Sequence, residues 1–166
     1  FIHATGPRDL SLVRQGYDAL GYPAVVEPFF QAMAVAYATA DLCFCRAGAG
    51  TVAELCALGK PSVLVPFPFA ANDHQRYNAE ALVASGGARM VLDRDLSGAT
   101  VAEIIRTFLR DREGLEVMAH RAKSLARPDA AVRLADLVTL TACQAPGATF
   151  QVSSPQLRGT RSCGHV

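Results

Sequence analysis

Short apolar runs alternate along the chain with longer stretches that carry apolar residues at helical spacing, and this alternation restricts the fold more than any other feature. Residues 1–5, 24–27, 42–45, 62–66 and 88–92 read as strands. Residues 9–20, 30–40, 51–58 and 74–85 read as the helices between them, with further helices expected within 97–111, 114–126 and 129–141. Gly21-Tyr22-Pro23, Gly59 and Gly86-Gly87 supply the stops. In 30–40, the residues Phe30, Met33, Ala34 and Tyr37 fall on one helical stripe. The strand runs are continuously apolar, so both faces of each strand are expected to be buried. The expected fold is α/β: a Rossmann-like parallel sheet with helices on both faces. Ligands of such sheets bind in the crevice at the carboxyl ends of the strands.

At 166 residues the chain is long enough for one domain with a proper core. Apolar residues make up 51% and charged residues 19%, as in soluble globular proteins. A formal net charge of +1 gives no general attraction to nucleic acid, so no nucleic-acid partner is expected. No apolar run approaches the ~18 residues that would cross a bilayer. The first residues lack a basic region and an initiator Met, so they do not form a signal peptide, and the chain is expected to begin inside a longer protein. Cys43, Cys45, Cys56, Cys143 and Cys163 have no framework spacing. Cys43 and Cys45 would share one strand face, either as buried inert thiols or as a metal or redox pair. From about Cys143 the chain has no acidic residue and is rich in Ser, Gly, Pro and Gln. A domain over 1–141 and a disordered tail over 142–166 are therefore expected.

Three loops fall where a crevice should lie. In Arg46-Ala47-Gly48-Ala49-Gly50-Thr51-Val52-Ala53-Glu54, small residues lead from a strand into a helix. Such a helix start offers free N–H groups and partial positive charge to a diphosphate, and Glu54 could accept bonds from two ribose hydroxyls. Thr51-x-x-Glu54 also fits a capping box, so both readings stand. No Lys follows the glycines, which excludes a Walker A loop. In the second loop, Asn72-Asp73-His74-Gln75 packs four polar residues together at a helix start. Gln75 can donate to and accept from sugar hydroxyls, Asn78 could brace the loop, and His74 could act as a base or as a hydrogen-bonding group. Asn72-x-x-Gln75 fits a capping box as well. The third, Glu27-Pro28-Phe29-Phe30, carries paired aromatics that either join the core or pack a nucleobase.

Together these segments resemble a known family. Glu27-Pro28-Phe29 through Met33-Ala34, Ala40-Asp41-Leu42, Cys45-Arg46-Ala47-Gly48-Ala49, Thr51-Val52-Ala53-Glu54-Leu55, Gly59-Lys60-Pro61, Val65-Pro66, His74-Gln75 and Asn78-Ala79 occur in sequence. Their order and spacing, from about His3 to Val138, resemble the C-terminal domain of the MurG-type transferases of glycosyltransferase family 28. The resemblance implies the C-terminal half of a GT-B enzyme, binding the donor UDP-N-acetylglucosamine (UDP-GlcNAc). It implies an inverting transfer to a lipid-linked muramyl-pentapeptide, converting lipid I to lipid II in peptidoglycan synthesis. It also implies residence at the cytoplasmic face of the plasma membrane, with membrane association only through the complete enzyme.

By position, the resemblance matches Glu54 to the ribose-binding acid. Ala49, Gly50 and Thr51 match the loop against the sugar and diphosphate. Phe30 matches the position whose backbone meets uracil, and Gln75 the glutamine that reads the GlcNAc hydroxyls. His74 falls where some members carry a second glutamine. Arg46 matches a family arginine without a derived role. No cofactor is expected, and no metal held by an Asp-x-Asp motif. An acceptor domain, where the catalytic base is expected, and a Gly-Gly-Ser-Gln-Gly-like phosphate loop have no counterpart in the sequence. The fragment alone is thus expected to be inactive. The alternatives are the donor half of a GT-B transferase with another acceptor, such as a lipid or natural product, or a non-catalytic donor-binding subunit.

Overall fold

The structure, a computed structural model, describes residues 1–144. They fall into two compact units, one spanning Phe1–Arg127 and the other beginning at Pro128. The second unit holds helix α7 (Ala130–Gln144), and most of the expected tail, residues 145–166, lies outside the described residues.

The first unit alternates strand and helix as the sequence pattern demands: β1 (Ile2–Ala4), α1 (Leu10–Leu20), β2 (Val25–Glu27), α2 (Met33–Thr39), β3 (Cys43–Cys45), α3 (Ala49–Leu58), β4 (Ser62–Leu64), α4 (His74–Ala84) and β5 (Ala88–Met90). Two further helices, α5 (Gly98–Arg110) and α6 (Arg112–Ser124), follow. The strands are shorter than the apolar runs suggest, because those runs extend into the loops. Parallel bonding nevertheless continues past them, from Val65 N–H to the Cys45 carbonyl at 2.9 Å and from Val91 N–H to the Leu64 carbonyl at 3.0 Å.

All pairing is parallel. β3, β4 and β5 form one ladder, with Cys43 opposite Ser62 and Ser62 opposite Ala88, while β1 and β2 form another, with Ile2 opposite Val25. Side chains alternate across β3 and β4. Cys43, Cys45 and Leu64 pack on one side with Leu55, Ala79, Leu82 and Ala122 of α3, α4 and α6. Phe44 and Val63 pack on the other with Ile104, Phe108 and Leu115 of α5 and α6. The ladder is therefore covered on both faces, which explains why its strands read as unbroken apolar runs.

The one sheet expected from the sequence is described as two ladders. A cavity of about 810 Å³ separates them, lined by Phe1, Ile2 and His3 on the β1 side and Leu42, Phe44 and Cys45 on the β3 side. Among the described residues no strand pairs with the facing edges of β1 and β3.

Helix ends follow the local chemistry. Gly59 takes φ +63° and ends α3, with Gly59 N–H bonded to the Cys56 carbonyl and Lys60 N–H to the Leu55 carbonyl, the two bonds of a Schellman motif. Lys60 then donates to the carbonyls of Ala38 and Ala40 at the end of α2. Ser97 and Asp111 cap α5 and α6 through their side-chain oxygens.

Two outcomes follow from this core. Ser62 is wholly buried in β4, and its hydroxyl has no partner among the described residues. An unpaired buried hydroxyl costs roughly 1–3 kcal/mol, so Ser62→Ala is expected to leave unfolding stability unchanged or raised by about 1 kcal/mol in a urea titration. A clear loss would show that the hydroxyl is bonded in solution. The thiol of Cys45 is pushed up to about 12 from its ordinary 9.0, by burial first and by Cys43 second. At pH 8 it then holds roughly a thousandfold less thiolate than an unperturbed thiol. Iodoacetamide should modify Cys45 far more slowly in the folded chain than in the unfolded one, read by peptide mass spectrometry. Rapid labelling at pH 8 would favour a reactive or metal-binding pair instead.

Candidate functional site

The loop from β3 to α3 departs from the capping-box expectation. α3 starts at Ala49, so Gly48 is its N-cap, held extended at φ −64° and ψ 147°, and no side chain caps the helix. Thr51 is the third helical residue and Glu54 lies a full turn beyond it, so no Thr51–Glu54 box forms. The first-turn N–H groups of Ala49, Gly50 and Thr51 thus have no side-chain partner, and they carry the partial positive charge of the helix start. A side chain at Gly50 would meet nothing within 4 Å, so the space over this turn is open.

Glu54 is exposed, and its Oε2 accepts a hydrogen bond from the Tyr37 hydroxyl at 3.2 Å. The sequence placed Tyr37 on an apolar stripe with Phe30, Met33 and Ala34. Of these four only Tyr37 is buried, because α2 begins at Met33 and turns most of its surface outward. Sequence reasoning missed the Tyr37–Glu54 contact. The available signal was a tyrosine on an otherwise apolar stripe, since a buried phenol needs a hydrogen-bond partner.

The second loop also avoids its capping box. Asn72 and Asp73 both take positive φ, 52° and 53°, a conformation these two residue types tolerate better than others. Gln75 is left at the start of α4, where its Oε1 accepts the Phe67 backbone N–H at 3.0 Å. Its amide NH₂ remains available as a donor. His74 is exposed, and its Nδ1 lies 2.8 Å from the Ala71 carbonyl. A carbonyl only accepts, so Nδ1 carries the proton, and in the neutral ring Nε2 is left as the acceptor. Asn78, one turn into α4, donates from Nδ2 to the Ala47 carbonyl at 3.0 Å and so ties α4 to the loop before α3.

Arg46 acts as a tie between strand ends. Its Nη1 lies 3.4 and 3.3 Å from the carbonyls of Val65 and Pro66 and 2.6 Å from Asp93 Oδ1, and its guanidinium sits 5.6 Å over the Phe67 ring. The extensions of β3, β4 and β5 are thereby held to one another. Phe30 is half-buried ahead of α2, and among the described residues no side-chain hydrogen bond or ring contact joins it to the other candidates. Phe29, one alternative for which was a core position, is 67% exposed.

Asp93-Arg94-Asp95 is an Asp-x-Asp triplet, which corrects the expectation that the chain holds no such motif. Asp93 is engaged by Arg46, and Asp95 lies 3.8 Å from Arg94. Among the described residues no group of three His, Cys, Asp or Glu side chains converges as a metal site.

The candidates thus divide. Glu54, the N-terminal turn of α3, Asn78, Gln75 and Arg46 are linked through direct bonds or shared loops, whereas Phe30 stands apart. The 810 Å³ cavity meets this group only at Arg46. A smaller one of about 190 Å³ lies between the β4–α4 loop and the residues after β5, lined by Phe67, Asp73, Arg76 and Asp93 among others.

Comparison with known proteins bears on this arrangement. Residues 1–134 match the glycosyltransferase family 28 C-terminal domain. A protein of Trichlorobacter lovleyi is 46% identical over 135 residues, covering 81% of this chain and 35% of the relative. One of Myxococcus xanthus is 47% identical over 137 residues, covering 82% and 36% respectively. Both are named UDP-N-acetylglucosamine--N-acetylmuramyl-(pentapeptide) pyrophosphoryl-undecaprenol N-acetylglucosamine transferase. The crystal structure of Acinetobacter baumannii MurG superimposes with a TM-score of 0.78 at 33% identity, covering 84% of this chain and 42% of that one. The chain spans about a third of the length of the curated relatives it matches. With its parallel sheet covered on both faces and residues 1–134 matching that domain, the chain belongs to glycosyltransferase family 28, through the family's C-terminal domain.

Proposed function

We propose that this chain is the donor-binding part of an inverting transferase that moves N-acetylglucosamine from UDP-GlcNAc to the lipid-linked muramyl-pentapeptide, forming lipid II. The observation that carries this reading is the uncapped start of α3 with the exposed Glu54 one turn further on. Free N–H groups and a positive helix end suit a diphosphate, and a carboxylate beyond them suits the hydroxyls of a ribose. The named activity of the relatives supports the same assignment.

Within this reading the residues take separate roles. The N–H groups of Ala49, Gly50 and Thr51 stabilise charge on the departing UDP. Glu54 orients the ribose, while Gln75, through its free NH₂, and His74, through Nε2, face the sugar hydroxyls. Asn78 and Arg46 hold the two loops in register, Phe30 offers its backbone to the uracil, and the acceptor hydroxyl attacks the anomeric carbon directly. The acceptor, the base that activates it and the membrane contact belong to the remaining length of the enzyme. That enzyme would work at the cytoplasmic face of the plasma membrane and serve cell-wall growth, and with it cell shape and division. Among the described residues no helix is long and apolar enough to cross a membrane.

Isothermal titration with UDP-GlcNAc tests the assignment. Glu54→Ala should weaken binding by about tenfold or more, since two hydrogen bonds to a charged acceptor are lost. Unchanged affinity would remove Glu54 from the site. Gln75→Ala should weaken UDP-GlcNAc more than UDP. An equal loss for both would restrict Gln75 to supporting the loop at Phe67.

A further inference from the structure

Among the described residues the carboxylate of Glu54 has a single hydrogen-bond partner, the Tyr37 hydroxyl. The two come from different helices, α2 and α3. Tyr37 is only 8% exposed and packs in the same core cluster as Leu55 and Cys43, so its ring is fixed by the core while its hydroxyl reaches outward. A carboxylate only accepts, so the phenol is the donor. Burial, and next the charge of Glu54, hold the Tyr37 hydroxyl above its ordinary titration range, so it keeps its proton throughout the neutral range.

An unrestrained glutamate on an exposed helix face samples many rotamers, and a ligand that engages it must freeze them. Here Oε2 is already anchored, and Oε1 keeps all its lone pairs for a ligand. We infer that Tyr37 is a positioning residue for nucleotide recognition: its hydroxyl fixes the Glu54 carboxylate in the orientation that accepts the two adjacent hydroxyls of a ribose. This rests on the reading of Glu54 as the ribose contact. A core tyrosine with an incidental surface bond is the rival account, and the two differ in what the ligand reports.

The test titrates UDP and 2′-deoxy-UDP separately into the wild-type chain, Tyr37→Phe, Glu54→Ala and the double variant. Tyr37→Phe should weaken UDP by about three- to tenfold, the range for one lost hydrogen bond, and should weaken 2′-deoxy-UDP, which keeps only the 3′-hydroxyl, by less. In the Glu54→Ala background, Tyr37→Phe should cause no further loss. Equal weakening of both nucleotides, no weakening of either, or additive effects of the two substitutions would overturn the inference. Failure of the underlying reading looks different: Glu54→Ala then binds UDP as the wild type does, and a wild-type chain that takes up neither nucleotide overturns both. Should Tyr37→Phe melt early, Glu54→Asp provides a second route, since it keeps the charge but withdraws it from the phenol. It should lose the preference for UDP over 2′-deoxy-UDP, and a retained preference counts against the positioning role.

Discussion

The rest of the unit depends on the burial of β4. Ser62, Val63 and Leu64 are all fully inaccessible, paired to β3 on one edge and β5 on the other, with a separate apolar cluster against each face. A strand in that position cannot shift register by one residue, because each side chain would then enter the wrong cluster. Its carboxyl end is therefore a fixed point. The loop that leaves it is anchored in β4 and in α4, and it holds two successive residues at positive φ, Asn72 and Asp73, types that tolerate that conformation.

Arg46 extends that rigidity into the loops. It bonds two carbonyls beyond β4 and a carboxylate beyond β5, while its ring contact covers Phe67, whose N–H in turn holds Gln75. The ion pair with Asp93 is about half exposed at Arg46 and 37% exposed at Asp93, so screening leaves it a small part in stability. Its value is geometric. Nη1 reaches the three acceptors while the planar guanidinium lies over the Phe67 ring, a flat stacking contact that a compact ammonium does not offer. The charge of Arg46 is already matched by Asp93.

Alternation of apolar runs with helical stretches made the fold class and the helix stops at Gly21, Gly59 and Gly86 legible, since each has a local physical cause. The division of the sheet into two ladders was not legible, because strand periodicity reports burial and says nothing about which edges meet. Local rules also failed at both candidate loops. Thr51-x-x-Glu54 and Asn72-x-x-Gln75 have capping-box spacing, yet each helix starts at a different residue, and both acidic or amide side chains bond elsewhere, to Tyr37 and to Phe67. Spacing along the chain cannot reveal those partners, which lie 17 and 8 residues away. The stripe on α2 failed for a related reason: the pattern was amphipathic, but α2 buries only Tyr37.

The two ends of the candidate site have opposite electrostatic character, and their spacing reconciles them. From Ala49 to Glu54 the helix rises about 7.5 Å, at 1.5 Å per residue. That is close to the Debye length of ~8 Å at physiological salt, so the carboxylate opposes an anion at the helix start only weakly. A ligand carrying its charge at one end and neutral hydroxyls one and a half turns further along satisfies both. A nucleotide bearing a phosphate on those hydroxyls would set two anions against each other at Glu54, whose carboxylate the Tyr37 bond restrains. In the proposed reading, the same pair of residues therefore favours an unmodified ribose by attraction and rejects a phosphorylated one by repulsion, and both effects depend on the carboxylate being held in place.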